Sequence, residues 1–109
     1  MTATAGASVF SGRPDPTWPL LEETLERLRA LWESLEPTQE PLPMAPVLGY
    51  RGCFVVEEEG REWRAFEGTV TLTAAGRRLS RLDGAREFER VVLESAPGGA
   101  LPPELIGGW

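Results

Sequence analysis

Residues 48–73, LGYRGCFVVEEEGREWRAFEGTVTLT, contain the clearest strand pattern in the chain. Side chains of different character alternate from Leu48 to Glu58 and again from Trp63 to Thr73, with the period of two that β-strands have. The residues between these runs are polar and include Gly60, as in a hairpin turn. The stretch therefore predicts an antiparallel hairpin.

One face of this hairpin is richer in aromatic and β-branched side chains, so we expect that face to meet the helices. It carries Tyr50, Gly52, Phe54 and Val56 in the first run and Arg64, Phe66, Gly68, Val70 and Leu72 in the second. Glycine inside a strand, as at Gly52 and Gly68, predicts a bulge or a close approach by a helix or by Trp18.

Upstream of the hairpin, residues 20–35 have the period of a helix. Apolar side chains recur at steps of four, three, four and three, which predicts one buried face made of Leu21, Leu25, Leu28, Trp32 and Leu35. Thr17 is the expected N-cap and Pro19 suits the helix start, whereas Pro37 ends the helix.

The remaining segments complete the predicted fold. Residues 7–11 are β-prone and predict a first strand. Residues 77–82 are a candidate for a further short strand. Asp83 is the expected N-cap of a second helix that runs to about Ser95. The order β-α-β-β-α predicts an α+β fold: a small two-layer sandwich with a three-stranded antiparallel sheet and two helices on one face. We assign residues 1–96 to a single domain and residues 97–109 to a Pro/Gly-rich, apolar C-terminal tail.

The composition of the chain excludes several classes of partner and of catalytic site. The chain has 109 residues and a net charge of −6, which argues against nucleic acid and anionic membranes as partners. All 11 basic residues are arginine and histidine is absent, so a Ser-His-Asp triad, an imidazole metal site and a lysine Schiff base are excluded. We predict no catalytic residue, no metal and no cofactor, and we lean against an enzyme.

The sequence also bears on compartment. Residues 1–10 lack the features of a secretory signal, and no run of apolar residues is long enough for a membrane span. The single cysteine, Cys53, cannot form an intramolecular disulfide, and we expect it to be inert. These features predict a cytoplasmic bacterial protein.

A second unusual stretch is residues 11–18, SGRPDPTW. Pro14 and Pro16 fix their own backbone and push Arg13 and Asp15 into extended conformations, ahead of the apolar anchor Trp18. If this segment meets the strand that holds Tyr50 and Arg51, the five named polar and aromatic residues form a candidate ligand or partner site: Arg13, Asp15, Trp18, Tyr50 and Arg51. The alternative is local packing, in which Arg13 pairs with a nearby carboxylate while Tyr50 and Trp18 pack together around the glycines.

Residues 10–18 resemble the Ser-Gly-Arg-Pro-Asn-Pro-x-Trp signature of a group of small bacterial proteins without an assigned function. In that group a helix and a Leu-Gly-Tyr-Arg-Gly segment follow, and residues 48–52 here are similar. Asp15 stands where the signature has asparagine. The resemblance implies a shared architecture and no activity.

The sequence is compatible with two functions. The first is a small non-enzymatic interaction or accessory module that docks a protein partner, or its own copy, through the proline-stiffened loop and the apolar tail. The tail's candidate interface residues are Leu101, Leu105, Ile106 and Trp109. The alternative is a protein or enzyme that binds a small anionic molecule, with Arg13 and Arg51 holding the anion beside Tyr50 and Trp18.

A local basic patch leaves a further choice open. It consists of Arg77, Arg78, Arg81 and Arg86 on an otherwise acidic protein. The patch either receives an acidic partner surface or balances the acidic residues of the chain itself.

Overall fold

In the computed structural model, residues 3–8, 15–39, 51–98 and 101 are described. Seven strands and two helices follow one another along these ranges: β1 (Ala3–Ala7), β2 (Thr17–Leu20), α1 (Glu22–Ser34), β3 (Glu36–Thr38), β4 (Cys53–Glu57), β5 (Glu62–Phe66), β6 (Thr69–Ala74), β7 (Arg77–Leu82) and α2 (Glu87–Glu94). The strands form a single antiparallel sheet in the order β2-β1-β4-β5-β6-β7-β3.

Helix α1 connects the two edges of this sheet. It follows β2 at one edge and leads into β3 at the other. Antiparallel sheets of this size twist and coil. Both helices pack on the face of the sheet that holds the core, here called the concave face, and the opposite face is called the convex face.

The predicted three-stranded sheet and the β-α-β-β-α order are wrong. The first strand is Ala3–Ala7, not residues 7–11, and it consists of alanine, threonine and glycine, which signal a strand weakly. The two edge strands also escaped prediction because each is short and contains a proline, Pro19 in β2 and Pro37 in β3.

The second run of the predicted hairpin is two strands. Glu67 and Gly68, with φ of 45° and 93°, form a two-residue turn between β5 and β6. Positive φ at both positions is the geometry of a type I′ hairpin turn. Ala75 and Gly76, with φ of 50° and 76°, make the same kind of turn between β6 and β7.

The predicted faces are partly reversed. In β4 the side chains toward the core are Cys53, Val55 and Glu57, whereas Phe54 lies on the convex face over Gly6 of β1. Gly6 explains this reversal because any side chain there would collide with the Phe54 ring. Val70 does face the core, since the turn before it places it opposite Ala65.

Both helices pack on the concave face around Trp63 of β5. The ring of Trp32 meets Trp63 edge-on at 5.3 Å between centroids, and the ring of Phe88 stacks on it at 5.6 Å. Aromatic pairs of this geometry add to the stabilisation from burial alone. Leu101, beyond α2, is also buried in this core.

The helix starts differ from each other. Thr17 and Pro19 lie in β2, so Thr17 is not the N-cap of α1, which begins after Leu21 without a side-chain cap. The N-cap residue of α2 is Arg86, in a left-handed conformation, and not Asp83 as predicted, but the Asp83 side chain reaches the first turn of the helix. Its carboxylate is 2% exposed and accepts backbone N–H bonds from Glu87 and Phe88 at 3.0 Å and from Glu89 at 3.4 Å.

Candidate functional site

The structure brings together one pair of the predicted site residues. Arg51 lies just before β4, and its Nη2 is 3.9 Å from Oδ1 of Asp15. Each side chain is 32% exposed. Arg51 therefore already has a carboxylate beside it, whereas the local pairing predicted as the alternative concerned Arg13. Arg13 and Tyr50 lie outside the described residues.

Trp18 is buried in the core, whereas the predicted site needs its ring to face a ligand. It is 3% exposed in the core, and its indole nitrogen donates a 2.9 Å hydrogen bond to the hydroxyl of Ser95. That hydroxyl in turn donates to the carbonyl of Val92 near the end of α2. Trp18 thus fastens the β2 edge to α2.

Of the predicted tail interface, only Leu101 is described, and it is 5% exposed in the core. Leu105, Ile106 and Trp109 lie outside the described residues, so their role as an interface stays a prediction.

A concavity on the described surface lies between α1 and the sheet. This groove has a volume of about 360 Å³ and is lined by Arg29, Ala30, Trp32, Glu33, Arg61, Trp63 and Leu72. Helix α2 packs against β1, β4 and β5. On the same face of β6 and β7, Val70 is buried but Leu72 is only partly buried and Leu79 is 55% exposed.

A buried carboxylate supports the wall of the groove. Glu57 is 4% exposed, and its two oxygens accept bonds from Nη2 of Arg29 at 2.5 Å and from the indole nitrogen of Trp63 at 2.7 Å. The hydrogen bond from Arg29 to Glu57 raises the pKa of the Arg29 guanidinium, against the opposing effect of its own desolvation. Arg29 is thus a fixed, already neutralised part of the wall.

Next to the groove, the strand register places leucines and arginines in two adjacent rows. Leu72 of β6 pairs with Leu79 of β7, and in the next row Ala74 pairs with Arg77. Arg61 precedes β5 and lies level with Ala74, since Glu62 pairs with Thr73. We call this set, Arg61, Leu72, Ala74, Arg77 and Leu79, the concave patch.

Two features of the concave patch are unusual for a core face. Leu79 is 55% exposed although its side of the sheet is the one that forms the core. Within the part of the chain that the structure describes, neither Arg61 nor Arg77 makes an ion pair. The patch therefore offers apolar surface and two available guanidinium groups side by side.

Arg81 closes the patch toward α1. Its guanidinium lies 4.5 Å from the centroid of the Trp32 ring, and its Nη1 donates a 2.7 Å hydrogen bond to the carbonyl of Trp32. A carboxylate oxygen of Glu33 is 4.0 Å away. Arg81 is thus held in place by the end of α1 and adds positive charge to this side of the molecule.

The basic patch seen in the sequence is divided by the fold. Arg77 and Arg81 point to the concave face and Arg78 to the convex face, while Arg86 is held by the buried carboxylate of Glu89 at 3.1 Å. Sequence reasoning missed Arg29 and Arg61. The signal for Arg29 is its helical position, since it flanks the face of Leu25, Leu28 and Trp32.

The sequence matches no protein-family model, no curated protein and no solved structure closely enough to show a relationship. The resemblance carried by residues 10–18 and 48–52 therefore stays a prediction.

The described ranges of the chain contain no helix long and apolar enough to cross a membrane, and no cluster of three or more metal-binding side chains. Cys53 is buried, with its sulfur 3.9 Å from the carbonyl oxygen of Glu89.

Proposed function

We propose that this chain is a small interaction domain that binds an anionic partner at the concave patch and the adjoining groove. The observation that carries the proposal is the position of Arg61 and Arg77 beside the half-exposed Leu79 and the partly buried Leu72 on the core face of the sheet. Apolar surface with arginine at its margin is typical of protein interfaces.

Charge supports this choice of surface. The whole chain has a net charge of −6, and Arg77 stands out on it because it is exposed and makes no ion pair among the described residues; Arg61 is half-buried and lies opposite Glu57 at the β4–β5 turn. The guanidinium group presents a planar set of donors that matches a carboxylate or a phosphate. An anionic group that approaches the patch gains this attraction and has no buried carboxylate to displace, because Glu57 is occupied by Arg29 and Trp63.

The same reasoning moves the anionic site away from Arg13 and Arg51. Arg51 already lies beside Asp15, and Trp18 is buried and bonded to Ser95, so it has no free face for a ligand. Docking through residues 11–14 of the proline-stiffened loop and residues 102–109 of the apolar tail, which lie outside the described residues, remains part of the proposal as an additional contact.

The test uses 8-anilinonaphthalene-1-sulfonate, a fluorescent probe with an apolar ring system and one negative charge. We expect saturable binding of one molecule per chain to the folded protein, with backbone amide NMR shifts centred on Leu72 and Leu79. Circular dichroism under the same conditions checks that the fold is intact, since partly unfolded proteins also bind this probe.

Strand β7 supplies matched controls. Arg77→Glu and Leu79→Ser change the concave face, whereas Arg78→Glu and Leu82→Ser make the same changes on the convex face of the same strand. We expect only the first two variants to weaken probe binding. Equal effects of Arg77→Glu and Arg78→Glu, or shifts centred elsewhere, would overturn the assignment of the site.

A further inference from the structure

We infer that the partner is a polypeptide segment in which carboxylate side chains flank an apolar side chain. This inference rests on the proposed function and specifies the chemistry of the partner. It follows from the order in which the strand register places arginine and leucine on the concave patch.

The first step is the spacing of the charges. Arg61 and Arg77 are level with each other across β6, which puts their backbones two strands apart, at about 10 Å. Two anionic groups carried on one chain match this separation. A single small anion engages both arginines only if both side chains bend toward Ala74 between them.

The second step is the position of the apolar surface. Leu72 and Leu79 form the row next to the arginine row, about 7 Å along the strands, and Leu72 also lines the groove beside α1. A ligand that contacts both rows must place an apolar group about two residues from its anionic groups. In an extended peptide, residues i and i+2 lie about 7 Å apart on the same face, so an acidic and an apolar side chain with one spacer residue between them have this spacing.

The third step is the choice between acidic polymers. A nucleic acid would present a dense row of phosphates, and α1 lines the groove with Glu33 while Glu22 and Glu26 lie on the same flank of the helix. These carboxylates repel a continuous polyanion. A peptide with isolated carboxylates and apolar side chains meets the arginines without facing that repulsion along its whole length.

The experiment measures fluorescence anisotropy with labelled nine-residue peptides and the full chain. One peptide alternates glutamate and leucine with a serine between each pair, so that both side chains lie on one face of the extended peptide; a second has serine in place of the leucines, and a third has lysine in place of the glutamates. We expect the glutamate–leucine peptide to bind and the other two to bind at least about tenfold more weakly. Binding should weaken as NaCl rises from about 0.05 M to about 0.5 M, because the charges become screened.

Charge reversal tests the residues themselves. We expect the Arg61→Glu, Arg77→Glu double variant to lose about tenfold in affinity for the glutamate–leucine peptide and to gain affinity for the lysine–leucine peptide. Arg78→Glu, on the convex face, should change neither affinity.

The outcomes separate the two proposals. If the sulfonate probe binds at the concave patch but none of the peptides does, the proposed function stands and the polypeptide inference is wrong. If a single-stranded oligonucleotide of equal charge binds as tightly as the glutamate–leucine peptide, the partner is a general polyanion and the inference is likewise overturned. If neither probe nor peptide binds at the patch, both proposals are overturned.

Discussion

The indole nitrogen of Trp63 donates a 2.7 Å hydrogen bond to the carboxylate of Glu57, which is 4% exposed. The other oxygen of this carboxylate accepts a bond from Arg29 of α1 at 2.5 Å. Trp63 also contacts Trp32 and Phe88, one from each helix. Glu57 therefore joins the aromatic centre of the core to the wall of the proposed binding groove.

This relationship predicts a large effect of Glu57→Ala. The substitution leaves the indole N–H of Trp63 without its acceptor in the core and removes the partner of Arg29, so we expect a loss of about 2–3 kcal/mol in the free energy of unfolding. Glu57→Gln keeps one carbonyl acceptor and should lose about half as much. Urea unfolding measures both. Glu59→Ala, on the exposed turn, is the control; a loss equal to that of Glu57→Ala would contradict the role of Glu57.

The same pair bears on pH dependence. The bond to Glu57 raises the pKa of Arg29 in the folded state, so the stabilisation from this guanidinium is present below the ordinary pKa of arginine and is lost only above the raised value. We therefore expect Arg29→Met to lower stability by the same amount at about pH 6 and at about pH 9. A difference between wild type and variant that shrinks between those two pH values would contradict this.

Arg81 is predicted to act through its flat guanidinium. It lies over the Trp32 ring and donates to the Trp32 carbonyl, so Arg81→Ala removes a cation–π contact and a hydrogen bond at the end of α1. We expect a loss of about 1–2 kcal/mol in unfolding free energy, and a smaller loss for Arg81→Lys, which keeps the charge but not the planar group. Thermal unfolding compares these variants with Arg78→Ala, an exposed neighbour on the same strand.

Sequence patterning located the helices because their signals are periodic and long. The spacing of Leu25, Leu28 and Trp32 defines the buried face of α1, and the Asp83 side chain bonds to the first turn of α2. The sheet was underestimated for a physical reason. Strand β1 consists of small residues that give little hydrophobic pattern, and it pairs with β2 on one side and β4 on the other. The Glu67-Gly68 turn lies within a stretch of sequence that alternates as if it were a single strand.

The site was harder to predict than the fold. Arg61 and Arg77 are 16 positions apart in the sequence, and only the register of β5, β6 and β7 places them level with each other. The sequence did single out Arg77 and Arg81 as part of a basic patch. The sequence alone does not show that Arg78 lies on the opposite face from Arg77 and Arg81, because a shift of one residue in the strand register would exchange the two faces.

The first turn of α2 gives a further prediction. Both carboxylate oxygens of Asp83 accept backbone N–H groups from the first turn of α2, and the side chain is 2% exposed. Asp83→Ala leaves those donors without partners, and we expect a loss of about 2 kcal/mol in unfolding free energy. Asp83→Asn retains one acceptor and should lose less. Hydrogen exchange should show faster exchange at Phe88 and Glu89 in both variants; unchanged exchange there would contradict this role of Asp83.

The turn between β6 and β7 is predicted to store backbone strain that can be removed. Ala75 is exposed and has φ of 50°, a left-handed conformation that costs a residue with a Cβ about 1 kcal/mol. Asparagine tolerates this conformation and is favoured before glycine in type I′ turns. We therefore expect Ala75→Asn to raise the free energy of unfolding by about 0.5–1 kcal/mol, measured by urea unfolding with an unchanged slope.

The neighbouring glycine is the matched control for this turn. Gly76 has φ of 76°, and a Cβ there would meet no heavy atom within 4 Å among the described residues. Any loss of stability in Gly76→Ala therefore reports backbone strain and not a collision, and we expect about 1 kcal/mol. Because β7 carries Arg77 and Leu79, the Ala75→Asn variant should also keep its affinity for the sulfonate probe. A stabilised turn with altered probe binding would show that the register of β7 had shifted.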